Sequence, residues 1–496
     1  MTQTIGKVLI ANRGEIAVRI MRTCREMGIE TVAVYSEVDR KAAHVLAADE
    51  AVCIGPAEAA QSYLNMDAIV GAARSTGAQA IHPGYGFLAE NAGFAERCRA
   101  EGFLFIGPDP EVIRLLGDKT AARKRLSAEG LPIIPGTSGG EASLENLEKA
   151  ALAMGYPVVV KAAAGGGGKG MRTVARPAEL ETALAAASTE ALAAFGSGEV
   201  YIEKYLEGPR HIEVQVLADT HGNAIHLIER ECSAQRRHQK IVEECPSPVV
   251  DEALRHTMGM AAVNAAKAVG YTNAGTFEFL VDQEMNFYFL EVNTRLQVEH
   301  PVTEMVTGVD LVREQIRIAA GEPLALSQED IIPRGHAVEC RLYAEDPANN
   351  FMPCPGTLQN LEEPSGPGIR VDSGVYQGWT VPMEYDPILS KVITFGQDRQ
   401  AATQRMVQAL KQTVITGIAS PVPFLIDLLE SETFRNGQVK TDTIDTTLSD
   451  WAPTPPVPEA FLAYVAHDLF GQAKAAQPQG PSAHPSPWTR LGPFRI

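Results

Sequence analysis

Glu278 and Glu291 flank a polar turn in the stretch Thr276–Val292, TFEFLVDQEMNFYFLEV. Apolar runs on both sides predict two strands joined at about Gln283–Asn286, which sets the two carboxylates opposite each other. Directly opposed residues have Cβ atoms about 4.5–5.5 Å apart on one face, so like charges there are destabilising unless a cation lies between them. Hard divalent ions such as Mg2+ prefer oxygen ligands and bridge carboxylates to substrate phosphates. In the same register Phe277, Phe279, Tyr288 and Leu290 are expected to face a core. Two solvated glutamates on an exposed strand face are the plain alternative.

The second strand runs directly into EVNTRLQVEH (291–300), which brings Asn293, Arg295, Gln297, Glu299 and His300 close to the expected metal. Arg offers a planar fork suited to a small oxyanion, and a nearby carboxylate can act as a base. Upstream, Gly165, Gly167 and Gly170 fit GxGxxG. The extended run that follows argues against a dinucleotide turn, and Lys169 precedes Gly170 where a P-loop needs Ser or Thr. A hairpin whose glycine tip closes over nucleotide phosphates fits better, with backbone N–H groups converging on oxygen and Lys161 adding a fixed charge. A flexible, ligand-free turn would accept the same glycines. Taken with the carboxylates, the set points to phosphoryl transfer from ATP.

The surrounding elements must hold these groups. Lys7–Ala11 and Thr31–Tyr35 read as strands around a helix at Glu15–Met27 that Gly28 stops, a pattern implying a parallel α/β sheet. It continues through Ala78–His82 and Phe103–Gly107. The first turn, Asn12–Glu15, lacks GxGxxG and is read as structural. After Asp118 and Lys119 come a helical stretch, a loop at Pro132–Gly140, and strands at Tyr156–Lys161 and Met171–Ala175. The chain turns strand-rich from Glu199, forms a further mixed unit over about 335–445, and ends in a Pro-rich tail with one short helix at Glu459–Phe470.

At 496 residues the chain can bury two or three cores. A net charge of −18 without long basic runs argues against nucleic acid or an anionic membrane as the main partner. Any anionic substrate must therefore meet a local basic cluster. The seven cysteines (Cys24, Cys53, Cys98, Cys232, Cys245, Cys340 and Cys354) form no CxxC pair, which fits free thiols in a reducing compartment. MTQTIGKVLIANRGE reads as neither signal nor transit peptide, and no apolar stretch approaches a bilayer span, so a cytoplasmic protein is expected.

Long motifs run in order from about residue 5 to 447. They include KVLIANRGEIAVRI (7–20), HPGYGFLAEN (82–91), GDKTAA (117–122), GGGGKGMR (165–172), EKYLEGPRHIEVQV (203–216), ERECSAQRRHQKIVEE (229–244), EVNTRLQVEHPVTEM (291–305), GHAVECRLYAEDP (335–347) and YDPILSK (385–391). Together they resemble the biotin carboxylase subunits and domains of acetyl-CoA, propionyl-CoA, methylcrotonyl-CoA and pyruvate carboxylases, in the ATP-grasp superfamily. The resemblance implies an N-terminal parallel α/β domain (1–118), an ATP-grasp domain (119–317) with a glycine-rich lid (about 134–205), a C-terminal mixed α+β domain (318–448) and a Pro-rich tail (449–496).

It also implies an ATP- and bicarbonate-dependent ligase that carboxylates biotin through carboxyphosphate, the first half-reaction of an acyl-CoA carboxylase. By resemblance, Lys119 and Lys161 contact ATP phosphates beneath a lid at Gly165, Gly166, Gly167 and Gly168. Glu203, Lys204 and Leu206 resemble the adenine strand and hinge, and His211, Gln235 and His238 occupy further nucleotide positions. Glu278, Glu291 and Asn293 match ligands of Mg2+ or Mn2+, with two ions expected. Lys240, Arg295, Gln297 and Val298 resemble the bicarbonate pocket, Glu299 the base, and Arg341 the residue facing the biotin ureido oxygen.

The implied partners are a biotin carboxyl carrier protein, carboxyltransferase subunits and a second copy of the chain. A lysine flanked by methionines, the biotin-attachment motif, is absent, so biotin is expected as a substrate not attached to this chain. Ala89 stands where Ser is common, and Ile418–Pro421 replaces a usual Thr-Asn segment. The ending SPWTRLGPFRI resembles the stretch following the carboxylase domain in larger catabolic subunits, which suggests a split or truncation before a carrier. Another ATP-grasp ligase, coupling an acylphosphate to an amine, or an inactive structural subunit are the competing readings.

Overall fold

β-branched runs separated by amphipathic helices build the first layer. In the computed structural model, which describes residues 3–137, 143–162, 171–453 and 462–467, these runs form β1 (Lys7–Ile10), β2 (Glu30–Ser36), β3 (Glu50–Gly55), β4 (Ala80–His82) and β5 (Leu104–Phe105). They pair in parallel in the order β3-β2-β1-β4-β5. The helix Gly14–Glu26 turns Ile16, Ala17, Ile20, Met21 and Cys24 inward at helical spacing, and all are buried. Each large side chain buried this way contributes about 1.5–3 kcal/mol. Gly374 lies against the start of that helix, where a Cβ would come within 2.4 Å of the Glu15 nitrogen.

Of the expected strands, Lys7–Ala11 and Ala78–His82 are trimmed, Thr31–Tyr35 gains a residue at each end, and Phe103–Gly107 shrinks to the two residues of β5 at the sheet's edge. A second, three-stranded antiparallel sheet follows, with β6 (Val158–Ala162) between β7 (Arg172–Val174) and β8 (Val200–Lys204). Helices Leu144–Met154 and Leu180–Phe195 pack on it through Leu147, Ala151, Leu180 and Leu184. The glycine-rich segment 163–170, including Gly165–Gly168, lies outside the described residues, as do residues 138–142.

The third sheet positions the chemistry. It contains β9 (Arg210–Ala218), β10 (Ala224–Arg236), β11 (Gln239–Cys245), β12 (Asn273–Val281), β13 (Phe287–Asn293), β14 (His336–Tyr343) and the strands Ile388–Gly396 and Ile369–Ser373. The eight strands are antiparallel in the order β13-β12-β9-β10-β11-β14, then Ile388–Gly396, then Ile369–Ser373. One sheet thus runs across the expected division at 317/318. On β14, Val338, Cys340 and Leu342 face the apolar cluster that holds Met406, Val407 and Leu410 of the helix Arg399–Gln412. Ala337 faces the opposite cluster with Val302 and Val306 of the helix His300–Thr307.

Residues Met1–Trp451 form one unit. In the second unit, Ala452–Ile496, residues 462–467 are helical, and the rest of the helix expected at Glu459–Phe470 lies outside the described residues. Among the described residues no helix is long and apolar enough to cross a membrane.

Two buried histidines give the fold a pH signature. Burial, aided by Arg19 and opposed by Gln315, pushes His82 from 6.5 to about 3. Burial also pushes His44 down to about 4, against the attraction of Asp39. Because the folded values lie below the unfolded one, the stabilisation is complete above pH 6.5 and is lost as pH falls toward the folded values. Each histidine then contributes a slope of about 1.4 kcal/mol per pH unit. Unfolding free energies measured by urea titration from pH 6.5 to 5 are expected to fall less steeply in His82→Asn and His44→Asn than in the wild type. An unchanged slope would contradict this account.

Candidate functional site

The hairpin β12–β13 places Glu278 directly opposite Glu291, as the sequence predicts, but through an irregularity the sequence did not reveal. The inner pairs are Val281 with Phe287 and Phe279 with Phe289, a turn centred at Glu284 that by itself would oppose Glu278 to Leu290. A bulge between Glu278 and Phe279 on the paired ladder takes up one residue and shifts Glu291 into register. It also corrects the expected core: Phe289 and Val292 join Phe277 and Phe279 inside, whereas Tyr288 is half-buried with its hydroxyl on Asp282, and Leu290 lines the cleft.

β9 lies beside β12 with Glu213 opposite Glu278, and Arg230 of β10 lies opposite Glu213 on its other side. These form a buried row of two adjacent carboxylates and a guanidinium. The Lys240 ammonium sits over it, 2.5 Å from Glu213, 2.9 Å from Glu278 and 2.7 Å from Glu299. Arg230, fully buried, bonds Glu213, Gln215 (2.9 Å), Thr303 (3.0 Å), Thr276 (3.2 Å) and Gln297 (2.6 Å). Burial opposes the charge on Lys240, yet Glu213, Glu278 and Glu299 raise it well above the usual lysine range. Burial likewise pushes Glu278 up, and Lys240 and His211 outweigh it, holding this carboxyl well below its ordinary value.

Glu299 lies at the turn before the helix His300–Thr307, 2% exposed, with one oxygen on Lys240 and the other 3.0 Å from Arg341. Burial would raise it, but Lys240, Arg341 and Arg230 hold it below the carboxylate range. Arg341 is gripped from behind by Glu243 at 2.6 Å from Nε. Arg295 is aimed by Glu90, 3.0 Å from its Nε, while Glu90 also accepts the Thr294 N–H at 3.0 Å. Gln297 reaches Glu278 at 2.6 Å, and the Val298 carbonyl accepts from the buried Lys391 at 2.7 Å.

At the other end, Lys119 meets Glu291 at 2.8 Å, and Glu203 accepts from both Lys161 and Arg123. Lys204 is held by the Met154 and Gly155 carbonyls at 3.2 and 3.0 Å. His211 stands 2.9 Å from Glu278. A cleft of about 960 Å³ joins the two ends, and the described residues singled out from the sequence line it, His300 excepted. They are Lys119, Lys161, Glu203, Lys204, Leu206, His211, Gln235, His238, Lys240, Glu278, Glu291, Asn293, Arg295, Gln297, Val298, Glu299 and Arg341. His300 is the exception among the polar run: it is fully buried, away from the cleft, and its Nδ1 meets the Gln297 carbonyl at 2.7 Å.

The donor set suits a divalent cation. Glu278 and Glu291 are opposed carboxylates at the cleft wall, each neutralised here by a lysine, and oxygen ligands of this kind are what Mg2+ and Mn2+ prefer. The Asn293 amide oxygen accepts from Arg295 at 2.9 Å and would turn from it to join them.

Sequence reasoning missed Glu213, Arg230, Glu243, Glu90, Arg123 and Lys391 as individual site residues. For Glu213 a signal existed: in HIEVQV the polar residues His211, Glu213 and Gln215 recur at the strand period of two, which puts them on one face. Glu90 and Lys391 are remote in sequence from the groups they orient, and no local pattern marks them.

Three family models match: "Biotin carboxylase, N-terminal domain" over residues 4–113, "Carbamoyl-phosphate synthase L chain, ATP binding domain" over 118–327 and "Biotin carboxylase C-terminal domain" over 339–446. The chain is 55% identical over 434 residues to the biotin carboxylase of Haemophilus influenzae, covering 87% of this chain and 96% of that one. It is 56% identical over 438 residues to the biotin carboxylase of Allochromatium vinosum, covering 88% and 97%. Among solved structures it is similar to the biotin carboxylase domain dimer of the Hydrogenobacter thermophilus 2-oxoglutarate carboxylase, in complex with MgADP, ADP and bicarbonate. That likeness has a TM-score of 0.86 at 47% identity over 91% of this chain and 100% of that one. A biotin carboxylase from Campylobacter jejuni in a nucleotide complex matches with a TM-score of 0.86 at 47% identity, covering 89% and 99%.

Removing Glu213 leaves Arg230 and Lys240 buried with one counter-charge fewer. Breaking such a pair costs about 3–5 kcal/mol. Chemical denaturation should show Glu213→Ala destabilised by about that amount; a loss under about 1 kcal/mol would mean that the row does not depend on it.

Proposed function

This chain belongs to the biotin carboxylase family, and on that footing we propose that it carboxylates biotin with ATP and bicarbonate through carboxyphosphate. The observation that carries the reading is the convergence on one cleft of the lysines Lys119 and Lys161, an opposed carboxylate pair and Glu299 held between Lys240 and Arg341.

Lys119 and Lys161 hold the ATP phosphates, Glu203, Lys204 and Leu206 receive the adenine end, and His211, Gln235 and His238 complete the nucleotide wall, with Gly165–Gly168 as the lid. Glu278 and Glu291, with Asn293, would hold Mg2+ or Mn2+. When bound, the ion neutralises phosphate charge and polarises the transferred phosphoryl group. Bicarbonate lies against Lys240, Arg295, Gln297 and Val298.

In the resting site Glu299 is a weak base, because its charge is shared with two cations. An arriving anion takes part of that pairing from Lys240 and Arg341, which raises the basicity of Glu299 where a proton must be removed. Glu299 then takes the bicarbonate proton as the oxygen attacks the γ-phosphate and ADP leaves. Carboxyphosphate separates into CO2 and phosphate, the phosphate accepts the biotin N1 proton, and N1 attacks CO2. Arg341 faces the ureido oxygen and stabilises its developing charge, a preorganised electrostatic contribution.

The domain divisions at 118/119 and 317/318 belong to the same proposal, as do a homodimer, delivery of biotin on a carrier protein and transfer to an acyl-CoA by a carboxyltransferase. The dimer named for the Hydrogenobacter relative supports the first of these associations.

ADP release from purified protein with MgATP tests the reading, with bicarbonate and free biotin added singly and together. Release should require bicarbonate and rise with biotin. Glu299→Gln should lose about 10²–10⁴-fold and Arg341→Ala about 10²–10³-fold of the biotin-dependent rate. Turnover that ignores biotin but needs an amine would favour another ligase; no turnover with a biotinylated carrier would favour an inactive subunit.

A further inference from the structure

Behind Arg341 the sheet carries a pair of carboxyls that the reaction above does not use. Glu243 of β11 lies directly opposite Glu339 of β14, and both are fully buried. Such neighbours have Cβ atoms about 4.5–5.5 Å apart on one face. Glu243 gives one oxygen to Arg341, while its other oxygen and both oxygens of Glu339 meet no donor among the described residues. Buried acceptors left without a donor are costly, and two adjacent carboxylates do not both ionise in a dry interior. One proton resolves both problems, because a protonated carboxyl becomes a donor.

We propose that Glu339 is a positioning residue that keeps a proton and donates it to the free oxygen of Glu243, so that Glu243 stays a fixed, singly charged acceptor aiming Arg341 into the cleft. The inference deepens the assignment of Arg341 to biotin and rests on it. No covalent bond other than O–H is involved, and the proton stays within the pair until alkaline pH removes it to solvent.

The charged surroundings of Glu339 come from every neighbouring element. Arg341 lies on its own strand, Glu243 on β11, Lys391 on the strand Ile388–Gly396, and Glu299 on the turn, while the helix packed over this face carries His300 and Glu304. Lys391 is already engaged by the Val298 carbonyl at 2.7 Å and by Glu15 at 3.3 Å. His300 is kept neutral, by burial first and then by Lys391, Arg19 and Arg370. Burial raises Glu339 well above the carboxylate range, with Lys391 and Arg341 opposing and Glu243 and Glu299 assisting. Burial also brings Glu243 to about 7 against the pull of Arg341. Loss of the shared proton at alkaline pH places a second negative charge behind Arg341 and draws its guanidinium back from Glu299 and the cleft.

The test compares wild type, Glu339→Gln and Glu339→Leu as full chains. It measures kcat and KM for biotin in bicarbonate-dependent ADP release across pH, alongside hydrogen–deuterium difference infrared spectra and thermal melts. Gln keeps a donor that does not titrate, so the alkaline fall of kcat/KM for biotin should move up by at least about one pH unit in Glu339→Gln. Leu has no donor, and in Glu339→Leu the KM for biotin should rise about tenfold while bicarbonate-dependent ADP release without biotin persists. The wild-type spectrum should contain an exchangeable protonated-carboxyl band that Glu339→Gln lacks. Superimposable pH profiles for wild type and Glu339→Gln, with no band lost, would overturn the proposal, whatever the melting temperatures. Failure of the biotin reading looks different: wild-type ADP release would ignore biotin while the carboxyl band remained.

Discussion

A buried charge is tolerated only next to its opposite, and this constraint organises the protein around the ammonium of Lys240. Three carboxylates, from Glu213, Glu278 and Glu299, converge on it at 2.5–2.9 Å. Each is itself buried and would be costly alone. Glu213 is balanced on its far side by Arg230, and Glu299 by Arg341, which is in turn balanced by Glu243. No single pair can be removed without stranding the next, so the row is a chain of mutual dependence.

The row explains why one antiparallel sheet extends through the catalytic unit. Alternation of side chains across a strand puts only every second residue on the reactive face. Glu213, Arg230, Glu243, Glu278, Glu339 and Arg341 each come from positions paired across neighbouring strands. Adding a strand therefore adds a charge at a controlled distance, whereas loops would leave such spacing free. The opposite face is apolar at Val338, Cys340 and Leu342, where burial against the helix Arg399–Gln412 supplies the cohesion that charge pairing does not.

The same arrangement links a distant segment to the site. Glu15, from the N-terminal sheet's first helix, pairs with Lys391, which holds the Val298 carbonyl beside Glu299, and Glu90 aims Arg295. The parallel sheet thus contributes orientation to the cleft even though the cleft-lining groups come from later in the chain.

Much of this was legible in the amino-acid sequence. Apolar runs about a polar turn revealed the hairpin and the opposed glutamates, and short apolar runs alternating with helical spacing revealed the parallel strands, because these signals are local and follow from strand and helix geometry. The described residues singled out by motif converge on the cleft, with His300 the exception. Tertiary structure alone decided which neighbours tune them. The bulge at Glu278 depends on how two ladders accommodate one another, which reversed the expected orientation of Tyr288 and Leu290. The grip of Glu243 on Arg341 and of Glu90 on Arg295 joins residues far apart in the chain. Local sequence determines which side chains share a strand face; which charges meet across strands depends on register and packing, and those are settled only when the whole sheet closes on its cores.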